Sequence, residues 1–442
     1  MKEFELDLFK PVAGNGLLDR RLFLLKSFRV LGFAGLSGTL SAAQAVPPEE
    51  PWMHAPGAPL RNYGSPSPHE ASLVRWISAP PEIPQNGISW TPLHELDGMI
   101  TPSGLHFERH HNGVPLIDPA LHALVIHGLV ERPLKFDIVA LKRYPRVSRI
   151  LVLECGGNSN AGWNPQPIQT PAGYFHGLVS CSEWTGVPLS LLLNEAGIKP
   201  QASWLIAEGA DAFGMTLSLP RAKLMDDCFL ALFQNGEPLR PEQGYPLRLI
   251  VPGWEGVTHV KWLRSLQAVT APVMARNETS RYTELQPDGR ARMFTFRMDA
   301  KSLLTAPSAG MKLPAPGVYE LSGLAWSGRG RIARVEVSAD GGTSWADAAL
   351  GTPVLPQAFT RFRIPWRWQG REAVLQSRAT DETGYRQPAR AELLAERGRH
   401  GYFHYNAIVS WAIQRDGAVS HVYPDARDTA AAAMDPMDAP WE

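Results

Sequence analysis

Between about residues 101 and 270 the chain alternates short, almost uniformly apolar runs with brief helical stretches. ALVIHGLV, RILVLECGG and PLRLIVPGW are rich in branched residues and read as buried strands, while VPLSLLLNEAGI reads as a short helix. Their spacing is irregular, without the strand–helix cadence of a doubly wound sheet and without a phosphate-binding glycine loop after a strand. The pattern predicts a mixed α+β domain.

After about residue 295 the period changes to two. GVYELSGLAW, RIARVEVSADGGTSW, TRFRIPWRW and AVLQSRATDETGYRQP alternate apolar and polar positions, and Asp340-Gly341 is a hairpin signal. This predicts a β-sandwich of immunoglobulin type. HYNAIVSWAIQRDGAVSHVYP adds one more strand-like stretch. The expected organisation is a leader over 1–45, an α+β domain over 46–295 whose first part (46–100) is a proline-rich wrapping arm, a sandwich over 296–425, and a flexible tail over 426–442.

The leader carries chemistry of its own. LLDRRLFLLKSFRVLGFAGLSGTLSAAQAVPP pairs Arg20 and Arg21, follows them with a weakly apolar stretch and ends in Ala43-Gln44-Ala45. That order predicts twin-arginine export with cleavage after Ala45 and a periplasmic destination; the competing reading is an amphipathic helix of the mature protein. The apolar stretch is too short and glycine-rich to span a bilayer permanently, so no membrane span is expected after cleavage. Lys+Arg and Asp+Glu balance at 43 each with no long basic run, which sets nucleic acid aside as a partner.

Three cysteines, Cys155, Cys181 and Cys228, offer neither a disulfide framework nor a zinc ribbon, and no C-x-x-C-H occurs for attaching a c-type haem. In ILVLECGGNSNAGW, Cys155 stands where a strand opens into two glycines. It is either a small core residue or a thiol brought to a site. Upstream, Arg109, His110 and His111 end an extended segment before an Asn-Gly turn; HFERH lacks the helical H-E-x-x-H order of a zinc hydrolase. Downstream, Arg248 and Lys261 interrupt the apolar, turn-rich EQGYPLRLIVPGWEGVTHVKWL. They are either surface residues or buried cations that need an anion.

Taken together, FERHH, Cys155 followed by Gly-Gly-Asn, GVTHVKWL and GLAWSGRG resemble the sulfite oxidase family of molybdenum enzymes, from about Thr101 to the end of the second domain. The resemblance implies a molybdenum–molybdopterin cofactor, with Cys155 as the metal's thiolate ligand and Arg109 beside the metal and substrate. It also implies His111 on the pterin or its phosphate, Asp211 as an acidic cofactor contact, Arg248 and Lys261 as cofactor-binding cations, and Tyr282 as the active-site tyrosine. A soft thiolate suits a soft, high-valent metal. Two departures stand out. Animal sulfite oxidases have two arginines where this chain has Ser159 and Asn160, and a histidine where it has Gln243. The E-C-G-G-N-S form resembles instead the molybdenum subunits of Sox-type sulfane dehydrogenases.

That likeness implies oxidation of sulfane sulfur held by a sulfur-carrier protein, in a pocket that clamps anions less because an arginine is gone. Electrons would leave to a c-type cytochrome subunit, since no haem belongs to this chain. The alternatives are a sulfite:cytochrome c oxidoreductase and a cofactor-free binding protein. The family likeness also implies a homodimer through the C-terminal domain, with Trp326, Trp345, Trp366 and Trp368 as candidates for its interface.

Overall fold

The computed structural model describes residues 10–21, 49–399 and 401–424. Most of the expected leader and the C-terminal tail lie outside these residues. The arm crosses the surface in turns and two short strands, β1 (Trp76–Ser78) and β2 (Gly87–Trp90). β2 pairs in turn with β3 (Glu108–His110), which places Arg109 opposite Ile88.

Two five-stranded sheets build the α+β domain. One contains β4 (Ala123–Gly128), β5 (Leu134–Asp137), β7 (Trp204–Gly209), β8 (Thr216–Pro220) and β11 (Leu263–Val269); its single parallel pairing is β4 with β11. Its core is aliphatic: Leu124, Ile126, Leu205, Leu219 and Leu266 are all fully shielded. The other contains β6 (Val147–Glu154), its antiparallel partner Val179–Pro188 with Leu153 opposite Ser180, β9 (Phe229–Gln234), the two-residue strand Glu237–Pro238 and β10 (Arg248–Ile250). Helix α1 (Leu189–Ala196) buries Leu189, Leu192, Leu193 and Ala196 against this core and stops at Gly197, whose φ of +69° only glycine adopts without strain.

Beyond residue 300 the period-two pattern becomes two antiparallel sheets that share one apolar core, an immunoglobulin-like β-sandwich. The first holds β12 (Lys301–Ala306), β13 (Gly317–Trp326) and β15 (Thr360–Trp368); the second holds β14 (Ile332–Ser338), β16 (Ala373–Asp381), β17 (Ser410–Ile413) and β18 (Val419–Val422). Asp340 closes the turn after β14, its carboxylate accepting from the Ser344 N–H and the Ser338 hydroxyl. The stretch expected to be one strand, 404–424, forms a hairpin of two, because Asp416-Gly417 turns the chain at a φ of +85°.

Three of the four tryptophans proposed for a dimer interface are not available to one. Trp326, Trp366 and Trp368 are each at most 3% exposed, spent on the sandwich core. Trp345 is partly covered, with the Arg378 guanidinium 4.1 Å over its ring. Part of the expected leader is likewise built into this domain. Residues 11–13 and 17–18 pair with each other, Leu17 sits opposite Trp366, Leu17 and Leu18 are fully buried, and the Trp366 indole donates to Asn15.

The domains are joined close to the Cys155 loop. The Val152 N–H donates to the Gln357 carbonyl across the boundary, and Val152, Val179 and Cys181 belong to the same apolar cluster as the sandwich core.

Candidate functional site

A cleft of about 720 Å³, including its open mouth, lies where β3, the end of β6 and the loops around β10 converge. Its walls include all seven residues singled out from the sequence: Arg109, His111, Cys155, Asp211, Arg248, Lys261 and Tyr282. They come from segments up to 173 positions apart, between Arg109 and Tyr282.

Cys155 follows the last residue of β6. Its own N–H is held by the Leu178 carbonyl, and its carbonyl accepts from Asn158, which closes the loop beneath the sulfur. Burial pushes the thiol up to about 11 despite the nearby Arg109 cation, so by itself the group is a protonated thiol. The other two cysteines are buried and unpaired.

The cations stand together. Arg248 is 5% exposed; one nitrogen donates to the Gln243 side-chain and backbone oxygens at 3.0 and 3.1 Å, and its guanidinium lies 5.1 Å over Trp184. Its Nε is buried with no hydrogen-bond partner among the described residues. Desolvation alone drives this arginine down to about 9. The Lys261 ammonium donates to the Arg109 and Glu242 carbonyls and to Nδ1 of His110 at 2.8 Å, all neutral acceptors. Desolvation and the Arg248 charge push its pKa well below the usual lysine value. Asp211 faces the same cleft, its carboxylate accepting from the Met215 N–H.

His111 stacks on Phe213 at 4.2 Å and is driven down to about 4 by burial and then by Arg109 and Lys261. Tyr282 follows a short helical turn, with its N–H on the Asn277 carbonyl and its ring stacked at 4.9 Å on Phe403. Burial, then Cys155 and Glu255, raise its phenol well above 10. Arg109 is anchored by Asn86 of the arm at 2.6 Å and also donates to the His110 carbonyl.

This donor set fits an anionic cofactor that brings most of its own metal ligands. A cluster of cations with an orphaned buried Nε and too little negative charge is costly unless an anion completes it. Among the described residues no group of three or more His, Cys, Asp or Glu side chains is arranged to hold a metal, so a metal here would be held by one thiol and the ligands it arrives with. Cys155 is the one thiol among the lining residues; the other sulfur there is the Met215 thioether, which accepts from the Asn277 amide.

The sequence named His110 and Gln243 without giving either a contact, and missed a third participant altogether. His110 links Lys261 to Glu108, its Nε2 lying 2.8 Å from that carboxylate. Gln243 orients Arg248. Gly401–His404 reaches over from the sandwich: His404 donates its backbone N–H to the Gly156 carbonyl at 2.7 Å and its Nε2 lies 3.2 Å from the buried Glu255 carboxylate. No motif marks that segment; only its contacts do. Positions 159 and 160 stand away from the cleft. Neither residue lines the cleft, and Ser159 is buried under the loop with the Lys301 ammonium on its hydroxyl.

Comparison with known proteins gives the family of both domains. A family model described as the oxidoreductase molybdopterin binding domain matches residues 111–276, and one described as the Mo-co oxidoreductase dimerisation domain matches 292–410. The crystal structure of the sulfane dehydrogenase SoxCD from Paracoccus pantotrophus is similar with a TM-score of 0.81 and 46% identity, covering 85% of this chain and 97% of that one. The chain belongs to the sulfite oxidase family of molybdopterin oxidoreductases.

Two other relatives are less similar. A nitrate reductase [NAD(P)H] of Hordeum vulgare is 30% identical over 372 residues, 73% of this chain and 40% of that protein. Mitochondrial sulfite oxidase of Mus musculus is 30% identical over 294 residues, 62% of this chain and 53% of that protein. The chain thus spans about half or less of these two relatives. Of the seven site residues, five lie inside the molybdopterin-binding match, while Arg109 precedes it and Tyr282 follows it.

Proposed function

We propose that this chain is the molybdenum subunit of a periplasmic sulfane dehydrogenase, oxidising sulfane sulfur held on a carrier protein and passing electrons to a c-type cytochrome. The observation that carries the reading is the 46% identity to a sulfane dehydrogenase over 97% of that chain, against 30% to a sulfite oxidase over 53% of it. When bound, the molybdenum cofactor supplies two-electron oxo-transfer chemistry.

The chain's own residues do the rest. Cys155 would hold the metal as a thiolate, the metal's positive charge offsetting the burial that otherwise keeps this thiol protonated. Arg248, Lys261 and His111 hold the cofactor's anionic groups. Arg109, half-buried beside Cys155, stabilises negative charge that develops at the substrate, and Tyr282, lining the same cleft, offers the substrate its hydroxyl as a hydrogen-bond partner.

A sulfite:cytochrome c oxidoreductase would use the same residues, and the similarity to mouse sulfite oxidase favours it as the second reading. Steady-state assays separate the two. The expected result is turnover of sulfane sulfur bound to a partner's cysteine with horse-heart-type cytochrome c or the native cytochrome as acceptor; efficient turnover of free sulfite alone would overturn the proposal. Metal and pterin analysis of protein from a molybdenum-competent host tests the cofactor directly and would expose a cofactor-free binding protein. Export is tested by Arg20→Lys with Arg21→Lys, which is expected to trap the protein in the cytoplasm, because a receptor that reads arginine's planar fork distinguishes it from lysine.

A further inference from the structure

Beneath the Cys155 loop lies a buried polar network that the cofactor-binding reading does not use. Glu154, the last residue of β6, is 3% exposed, and Lys301, the first residue of β12 in the sandwich, is 1% exposed. Their ion pair spans 3.2 Å. The same Glu154 oxygen accepts from the Asn158 amide at 2.9 Å, and the other accepts from the Trp326 indole of β13 at 2.6 Å. Lys301 also donates to the Ser159 hydroxyl at 2.6 Å, and that hydroxyl in turn meets Nδ1 of His176 at 2.6 Å.

The loop that presents Cys155 is therefore gripped on both sides of the sulfur. Glu154 precedes it; Asn158 and Ser159 follow it. Ser159 needs the grip, because it holds a left-handed backbone at φ +64°, which a serine occupies at a cost unless its surroundings impose it. Both gripping side chains, Lys301 and Trp326, belong to the other domain. A buried ion pair is a poor device for stability alone, since desolvation consumes much of its attraction, and one whose hydrogen bonds all land on a single loop fixes that loop's geometry.

We infer that Lys301 is a positioning residue for the Cys155 thiol, through which the sandwich domain sets the orientation of the metal-binding loop. The inference rests on Cys155 as the metal's thiolate. That reading fails separately, if Cys155→Ser keeps an unshifted metal absorption band and near-wild-type turnover.

The test uses the full chain with and without cofactor. In cofactor-free protein, Lys301→Met is expected to raise the rate of Cys155 alkylation by iodoacetamide roughly fivefold, as a loop freed from its grip opens locally. Cys181 and Cys228, both buried, should stay unlabelled. In the loaded protein, the thiolate-to-metal absorption band per bound molybdenum should shift and kcat should fall about tenfold with KM unchanged, the signature of a misplaced ligand. Glu154→Gln combined with Lys301→Met removes both buried charges and carries the same test if the single variant does not fold, because Ser159 still loses its donor. A wild-type alkylation rate and an unshifted band in the variant that folds would overturn the inference. So would labelling of all three cysteines together, which reports general unfolding.

Discussion

His404 donates its backbone N–H to the carbonyl of Gly156 at 2.7 Å, so a segment of the sandwich domain rests directly on the loop that presents Cys155. The contact leaves no room at position 156: a Cβ there would lie 2.6 Å from the Glu255 carboxylate and 3.4 Å from the Phe403 ring. Gly156→Ala is expected to cost about 1–3 kcal/mol, the usual penalty for overpacking a filled site. Urea denaturation of the cofactor-free protein measures it, and a loss under about 0.5 kcal/mol, typical of an unconstrained surface position, would show that the segment yields freely.

Cys155→Ser should fold and retain pterin, because Arg248, Lys261 and the backbone contacts are untouched, yet lose turnover. Oxygen is a harder ligand than thiolate. Parallel assays of pterin, molybdenum and activity check this, and near-wild-type turnover would remove Cys155 from the ligand role.

Arg248→Met separates stability from function. The guanidinium is buried, its Nε is unpartnered, and burial has driven it down to about 9, all signs of a charge the folded chain holds at a cost. The variant is expected to be at least as stable as the native chain without cofactor while its pterin content falls about tenfold or more. Thermal melts and fluorescence of released pterin read the two effects independently.

The buried histidines set an acid limit. Desolvation first, and then neighbouring cations, drive His106, His110 and His259 down to about 3. Each is neutral in the folded chain at pH 5 and protonated in the unfolded one, so the unfolded state binds more protons. The stability is present in full above about pH 6.5 and is lost as pH falls toward 3. By pH 5 each histidine is expected to cost about 2 kcal/mol. His404, raised by Glu255, works in the opposite direction, gaining stability as pH falls through its folded value. Urea midpoints of the cofactor-free protein at pH 7 and pH 5 test the balance, with the lower midpoint expected at pH 5.

Light scattering on the purified chain is expected to give a dimer formed through residues beyond 295, as the dimerisation-domain match suggests. Its contacts exclude the core tryptophans. Trp326→Ala is expected to destabilise the domain itself by about 3–5 kcal/mol rather than simply release monomers. A variant that becomes monomeric while keeping its melting temperature would contradict that core role.

Asp211 and Tyr282 came only from the family resemblance, while the sequence by itself determined the two-domain plan, the change of period near residue 295, and the prominence of Arg109, His111, Cys155, Arg248 and Lys261. These are local matters: hydrophobic period sets which strand faces are buried, and a thiol or cation inside an apolar run shows in the run itself. Only the tertiary structure decided what those residues touch. That Ser159 faces Lys301 rather than the cleft, that His404 rests on Gly156, and that Trp326 is core holding Glu154 rather than interface, all depend on contacts between segments more than 140 positions apart. No local pattern encodes them, because a buried charge and its partner are matched in space by desolvation, not in sequence by spacing.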